Sequence, residues 1–174
     1  MSEPIVLITF YSRCGLTETL ALAAAVGAVQ ERALIRLRRL PDVNPAKTIE
    51  EFPQCKETLV RMHKEYVAPT EADVLGADAI ILGAAEGFTP SSKEWTAYFD
   101  LLARLRSEGK LKGKAGGAVG SESALESFSA AILELGLTTA PPETGTKLDG
   151  AGRATAEGRR IAAVARGLKQ ATGG

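Results

Sequence analysis

The chain carries a single histidine, His63, only two cysteines, Cys14 and Cys55, few aromatics, and no net charge. One histidine excludes a multi-histidine metal site and leaves Ser/His or Cys/His catalysis a single candidate base. Two cysteines are too few for a disulfide framework. Together with the lack of a signal peptide they suit a reducing compartment, so a cytoplasmic protein is expected. The 21 basic and 21 acidic residues cancel, so no global field draws the chain to nucleic acid or to an anionic membrane. No apolar run approaches the ~18 residues of a bilayer span.

What is present is a chain of 174 residues, 45% apolar, which fits one domain (1–174) with a sizeable core. Residues 5–11 (IVLITFY) form a continuous apolar run, the pattern of a strand covered on both faces. Residues 18–30 read as an alanine-rich helix, apolar nearly all round and therefore expected to be tightly packed, with Gly27 a local weakness. Residues 34–40 alternate as a strand nearer an edge. Between 41 and 69, Phe52, Cys55, Leu59, Met62 and Tyr66 recur at helical spacing, with a start near Pro53 and a role in core packing. Thr70 and Asp73 carry a helix-cap signature. Residues 77–83 read as a buried strand, 91–106 as a helix with a Trp95, Tyr98, Phe99, Leu102 and Leu105 stripe, and 115–119 as a small-residue strand. Leu125, Phe128, Ile132 and Leu135 mark another helix, closed by Gly136. Residues 137–140 supply a last strand, 145–152 a flexible connection, and 154–169 a terminal helix followed by a frayed tail. Alternating strands and helices imply an α/β, doubly wound, five-stranded parallel sheet with helices on both faces. Ligands of such sheets bind at the carboxyl ends of the strands.

The loop after the first strand, SRCGLTET, is where an anion would rest. Backbone amides and a helix N-terminus converge there, Ser12 and Thr17 add hydroxyls, and Gly15 permits a turn that a side chain would obstruct. The chain has no Walker string and no G-x-G-x-x-G here, so this is a cradle of neutral donors suited to a phosphomonoester. The alternative on this pattern alone is a turn that merely caps a helix. Cys14, near a helix N-terminus, invites a redox role, although simple occupancy of a loop position is the plainer reading; Cys55 reads as packing and His63 as a surface or partly packed imidazole.

The hydroxyl-x-x-Gly-x-Thr spacing of Ser12, Gly15 and Thr17 resembles the FMN-phosphate loop of flavodoxin-like proteins. The string YSRCGLTET, with the segment 68–100, is similar to WrbA-type NAD(P)H:quinone oxidoreductases and NADPH-dependent FMN reductases. The resemblance covers roughly residues 4–30 and 68–118 and implies a flavodoxin-like fold of strand order 2-1-3-4-5. It implies FMN as cofactor, with Ser12, Arg13, Cys14, Gly15, Leu16 and Thr17 at the phosphate. Ala84, Ala85, Glu86, Gly87 and Phe88 would line the isoalloxazine edge, and Ser121 would open the third cofactor loop. NAD(P)H and a quinone-like acceptor are the implied partners, and a homodimer or homotetramer the implied assembly.

The chain departs from that pattern in places. Ala84, Ala85, Glu86 and Gly87 stand where the family has a Thr-Pro-Thr-Arg-type stretch, and GSESALE replaces a glycine-rich third loop. A histidine of the following helix is also missing. Glu86 and Glu122 would set two carboxylates near a ring whose reduced form is usually anionic, which disfavours reduction if both stay charged. Two functions follow: an FMN enzyme moving electrons from NAD(P)H to a quinone, or a flavodoxin-fold binding or regulatory module with weakened or lost FMN binding. A dedicated electron carrier fits less well, because carriers of this fold are strongly acidic and this chain is neutral.

Overall fold

The computed structural model describes residues 2–141 and 150–173. Four parallel strands, β1 (Ile5–Phe10), β2 (Leu34–Arg39), β3 (Ala79–Ala84) and β4 (Ala115–Gly120), form one sheet in the order 2-1-3-4. In chain order the helices are α1 (Leu16–Gln30), α2 (Pro45–Glu51), α3 (Lys56–Glu65), α4 (Glu71–Gly76), α5 (Lys93–Ser107), α6 (Glu122–Glu134) and α7 (Gly150–Thr172), with a 3-10 turn, Pro53–Cys55, before α3. β1 is central, with Ile5 opposite Leu34 of β2 and Val6 opposite Ala79 of β3. The continuous apolar run follows from burial on both faces: Val6, Ile8 and Phe10 pack under α1, α3 and α7, while Leu7 packs with Ile80 and Leu82 under α4, α5 and α6.

The expected fifth strand is not formed. Residues 137–140 reduce to one bridge, Thr138 opposite Ala115, held by Gly116 N–H to Thr138 O and Thr138 N–H to Lys114 O, both 3.0 Å. Pro141 follows at once and brings no amide to extend a ladder. Leu137 instead packs onto β4, where a Cβ on Gly116 would lie 2.6 Å from its Cδ1. Residues 150–152, expected in a flexible connection, begin α7, and Ala171 and Thr172 of the expected frayed tail are still helical. The rest of the expected connection, 145–149, lies outside the described residues, as does Gly174.

Helix α1 does not pack all round. Leu22, Val26 and Val29 are exposed, whereas the buried face is Ala21, Ala24, Ala25, Gly27 and Ala28. Small residues face inward because α7 crosses there: a Cβ on Gly27 would stand 1.9 Å from Thr155 O, and one on Gly158 2.0 Å from Ala24 O. Gly27 is thus a contact surface. Helix α2 lies in a stretch for which no helix was expected before Pro53. It is capped by Asn44, whose side chain accepts from Lys47 N–H, with Pro45 at the first helical position. The Thr70–Asp73 capping box forms, Gly136 adopts φ +75°, and Trp95 sits fully buried 4.8 Å from Phe128 between ring centres. Among the described residues no helix is long and apolar enough to cross a membrane.

Candidate functional site at the carboxyl edge of the sheet

The three loops singled out by sequence meet at one edge. Tyr11 N–H donates to Gly83 O at 3.3 Å, which lays the loop after β1 along the end of β3. Ser121 N–H donates to Ala84 O at 3.3 Å, which sets the loop after β4 beside the same strand end. Gly120 makes that approach feasible, since a Cβ there would fall 2.0 Å from Ala84 O.

In the first loop the hydroxyl of the buried Ser12 accepts from Gly15 N–H at 3.1 Å. Gly15 takes φ +94°, a left-handed conformation that favours glycine. Helix α1 then starts without a side-chain cap. The amide and hydroxyl of Thr19 both return to Gly15 O at 3.0 Å, so the amides of Leu16, Thr17 and Glu18 come before the first intrahelical donor. Thr17 is buried beside them, while the Leu16 side chain faces solvent. Glu18 does not cap the helix either. Its carboxylate takes two bonds from Arg61, at 2.6 and 2.9 Å, and one from Tyr66 at 2.7 Å. Arg61, with Tyr66 assisting against burial, holds that carboxyl below its usual range.

A charged network that the sequence did not reveal lies under this loop. Arg39, at the end of β2 and 3% exposed, donates to Ser12 O at 2.8 Å and pairs with buried Asp42 at 3.2 Å. Asp42 also accepts from the Tyr11 hydroxyl and lies 3.2 Å from His63 Nε2. Burial first, and then the bond to Asp42, push the Tyr11 phenol well above its ordinary value. Only the arginine-rich end of LIRLRR hinted at this, and it read as an edge strand.

Arg13 turns across the mouth of the second loop. Its guanidinium carbon lies 4.5 Å from the Phe52 ring centre, 5.0 Å from Phe88 and 5.6 Å from Tyr11, and it pairs with Glu94 at 3.4 Å. Ala84 is buried at the end of β3; Ala85 O accepts from Phe88 N–H at 3.2 Å, and Gly87 takes φ +84° in this turn. Half-buried Phe88 meets Tyr11 edge-on at 5.3 Å, and Glu86 is exposed. A cleft of about 390 Å³ opens here, lined by Arg13, Glu86, Gly87, Phe88, Ser92, Lys93 and Glu94. In the third loop Ser121 immediately precedes α6, its hydroxyl 3.2 Å from that of Ser123. Glu122 points to solvent and pairs with Arg153 at 3.1 Å.

The two cysteines, expected as unpaired, are joined: Cys14 in the first loop is bonded to Cys55, just before α3, with Cα atoms 4.8 Å apart. They are 41 residues apart in sequence, and the fold of α3 against α1 is what brings them together.

Comparison with protein-family models finds no match. Against individual proteins, the chain is 31% identical over 141 residues to the NAD(P)H dehydrogenase (quinone) of Cupriavidus metallidurans, covering 76% of this chain and 68% of that one. The chain belongs to the NAD(P)H dehydrogenase (quinone) family. A second member, from Archaeoglobus fulgidus, is 32% identical over 111 residues, 64% of this chain and 58% of its own. The architecture agrees. A flavodoxin, WrbA-like protein from Agrobacterium tumefaciens superposes with TM-score 0.67 at 18% identity, covering 96% of this chain and all of that one. A flavodoxin from the domain Archaea gives 0.63 at 17%, covering 93% and 99%. The fold is therefore flavodoxin-like, with four strands in place of the five expected. In this member of the quinone dehydrogenase family, all three candidate loops converge at one sheet edge. Arg39, Asp42, Phe52 and Lys93 complete the surroundings.

Proposed function

We propose that this chain is an FMN-dependent oxidoreductase that passes electrons from NAD(P)H to a quinone-like acceptor. The observation that carries it is the start of α1: uncapped amides beside a left-handed Gly15, with buried Ser12 and Thr17 on either side. Such an end favours an anion through its free N–H groups and helix dipole. The residues present fit the FMN phosphate, since they offer neutral donors and no carboxylate caps the turn. The resemblance of Ser12–Gly15–Thr17 to the FMN loop and the family membership support the same reading. Bound FMN supplies the group that accepts and delivers the electron pair. The chain binds and orients it: residues 12–17 hold the phosphate, Phe88 offers an aromatic face, Ala84–Gly87 offer a thin backbone wall, and Ser121 borders the third side. Arg13 and Lys93 set two cations in the cleft against Glu86 and Glu94, so the lining carries no net charge.

The second reading, a binding module with weakened FMN affinity, is favoured by Arg13, whose guanidinium already lies against Phe88 and Phe52. One titration separates the two. Protein added to FMN should quench its fluorescence, and Ser12→Ala or Thr17→Ala should weaken binding by about 0.5–1.5 kcal/mol, the worth of one hydrogen bond. No quenching at high protein concentration would overturn the cofactor assignment. Quenching without anaerobic bleaching by NAD(P)H would overturn the reductase assignment alone. A single domain and a homodimer or homotetramer are part of the proposal. The assembly is supported by the exposed Leu22, Val26 and Val29 on α1, and light scattering tests it. So is a cytoplasmic location, where the Cys14–Cys55 pair would meet a reducing thiol pool.

A further inference from the structure

We propose that Cys14 and Cys55 form a reversible thiol–disulfide site that reacts with low-molecular-weight thiols and, through the loop that carries Cys14, sets the grip on the FMN phosphate. The second half rests on the cofactor reading above; the first does not. Four observations carry it. The bond joins the cradle loop itself to α3, so its state is felt at Ser12, Gly15 and Thr17. Its two ends differ in access: Cys14 is exposed, whereas Cys55 is 1% exposed within the core. A thiolate from solvent therefore reaches Cys14 and not Cys55. The second tie between α1 and α3, Glu18 with Arg61, does not involve the loop and keeps α3 in place when the first is cut. Finally, the loop's other ties are made by its other residues, Gly15 to the Ser12 hydroxyl, Arg39 to Ser12 O, Arg13 to Glu94 and Thr19 to Gly15 O, and none of them is made by Cys14.

The chemistry balances with a named reductant. A thiolate RS⁻ attacks the Cys14 sulfur, a new S–S bond forms there, and the bond to Cys55 breaks. The Cys55 thiolate leaves and takes up a proton. A second thiolate then attacks the outer sulfur of the mixed disulfide, releasing RSSR and the Cys14 thiolate. The protein gains two electrons and two RSH become one RSSR. The reverse runs with a disulfide such as oxidised glutathione. Cutting the link frees the loop in the absence of ligand, so binding must re-order it. A Cys14 thiolate near the start of α1 would also compete for the donors that hold the phosphate. Both effects point the same way: the oxidised form holds FMN more tightly, by about tenfold, the equivalent of re-ordering one freed backbone residue.

The test uses the full chain, equilibrated in glutathione buffers of graded redox ratio, alkylated first without denaturation and then, with a second reagent, after it, digested and weighed. The expected result is a linked Cys14–Cys55 peptide that converts, in one two-electron transition, to a Cys14 peptide carrying the first label and a Cys55 peptide carrying the second, with FMN Kd about tenfold weaker on the reduced side. Cys55→Ala, which leaves the cradle side chains untouched, should show the weaker Kd in every buffer. Two free cysteines in the oxidised buffer, or a link that opens only after denaturation, overturns the reactive site. A reversible link with equal Kd in both states overturns the control of FMN grip. Failure of both states to bind FMN overturns the cofactor reading, and with it the grip, while the mass data still decide the thiol exchange.

Discussion

Alanine at Gly158 and at Gly167 is the same chemical change in the same helix, yet the two should move stability in opposite directions. Both glycines lie in α7, where replacement by alanine raises intrinsic helix propensity by about 1 kcal/mol. At Gly167 a Cβ would meet nothing within 4 Å, so that gain should appear nearly undiminished. At Gly158 the Cβ would lie 2.0 Å from Ala24 O, 2.8 Å from its carbonyl carbon and 3.0 Å from its Cα. All three are backbone atoms of α1, so no side chain can swing aside. Relief needs α7 to withdraw from α1 by about 1 Å, since Cβ contacts under 3.0 Å essentially do not occur. That loosens Ala21, Ala24 and Ala28 against Ile161, Ala162 and Ala165, all fully or almost fully buried. Overpacking of this kind costs about 1–3 kcal/mol, and an unyielding backbone puts it at the upper end. After the propensity gain the net loss is about 2 kcal/mol. At about 2–4 °C per kcal/mol for a chain of this size, Gly158→Ala should melt about 4–8 °C below the wild type and Gly167→Ala about 2–4 °C above it. Thermal unfolding followed by far-UV circular dichroism measures both. An unchanged or raised Tm for Gly158→Ala, or a shift of both variants in one direction, would refute the close helix crossing on which the placement of α1 depends.

Removing the Asp42 carboxylate with Asp42→Ala strands Arg39 as a buried unpaired charge and should cost about 3–5 kcal/mol in urea unfolding. Arg39→Met with Asp42→Ala should recover part of this; single-variant losses that simply add up to the loss of the double variant would show that the pair is not coupled. The Glu18 carboxyl is held below its ordinary value of 4.5, so its contribution is present above that value and is lost as pH falls through the lower folded-state value. The wild type should therefore lose more stability than Glu18→Gln between pH about 5 and about 3, and parallel urea midpoints for the two across that window would refute the Arg61 and Tyr66 assignment.

Much of the architecture was legible because it is written in local chemistry. The buried run 5–11, the Thr70–Asp73 box and the Gly136 stop each depend on residues a few positions apart, and each forms. What failed depended on neighbours distant in sequence. The breadth of apolar character in α1 suggested burial all round, but which face is buried was decided by the small residues that admit α7, through Gly27 and Gly158. Residues 137–140 carry strand composition, but a strand needs several consecutive partners, and only Thr138 finds one, opposite Ala115. Cys14 and Cys55 are 41 positions apart, and no spacing rule joins them.

The electrostatics of the site show the same limit with a functional consequence. Read along the chain, Glu86 and Glu122 stand near the cofactor loops without compensating charge, which argues against a readily reduced ring. In the fold, Glu122 is turned outward onto Arg153 and takes no part in the cleft, while Glu86 shares it with Arg13, Lys93 and Glu94. Arg13 comes from the first loop and Lys93 from the start of α5, so neither appears in the segment where the family pattern has its arginine. An exposed pair contributes little by itself, because water and salt screen it. Arg13, however, is only partly exposed and is confined by Phe52, Phe88 and Glu94. Its charge is therefore held at the mouth of the cleft, where it is paired with Glu94, and Lys93 is the cation left to face Glu86. The two acids of the cleft, Glu86 and Glu94, are thus matched by two bases drawn from other segments, and Glu122 lies outside it, so the pair of uncompensated carboxylates read along the chain is not what the fold presents.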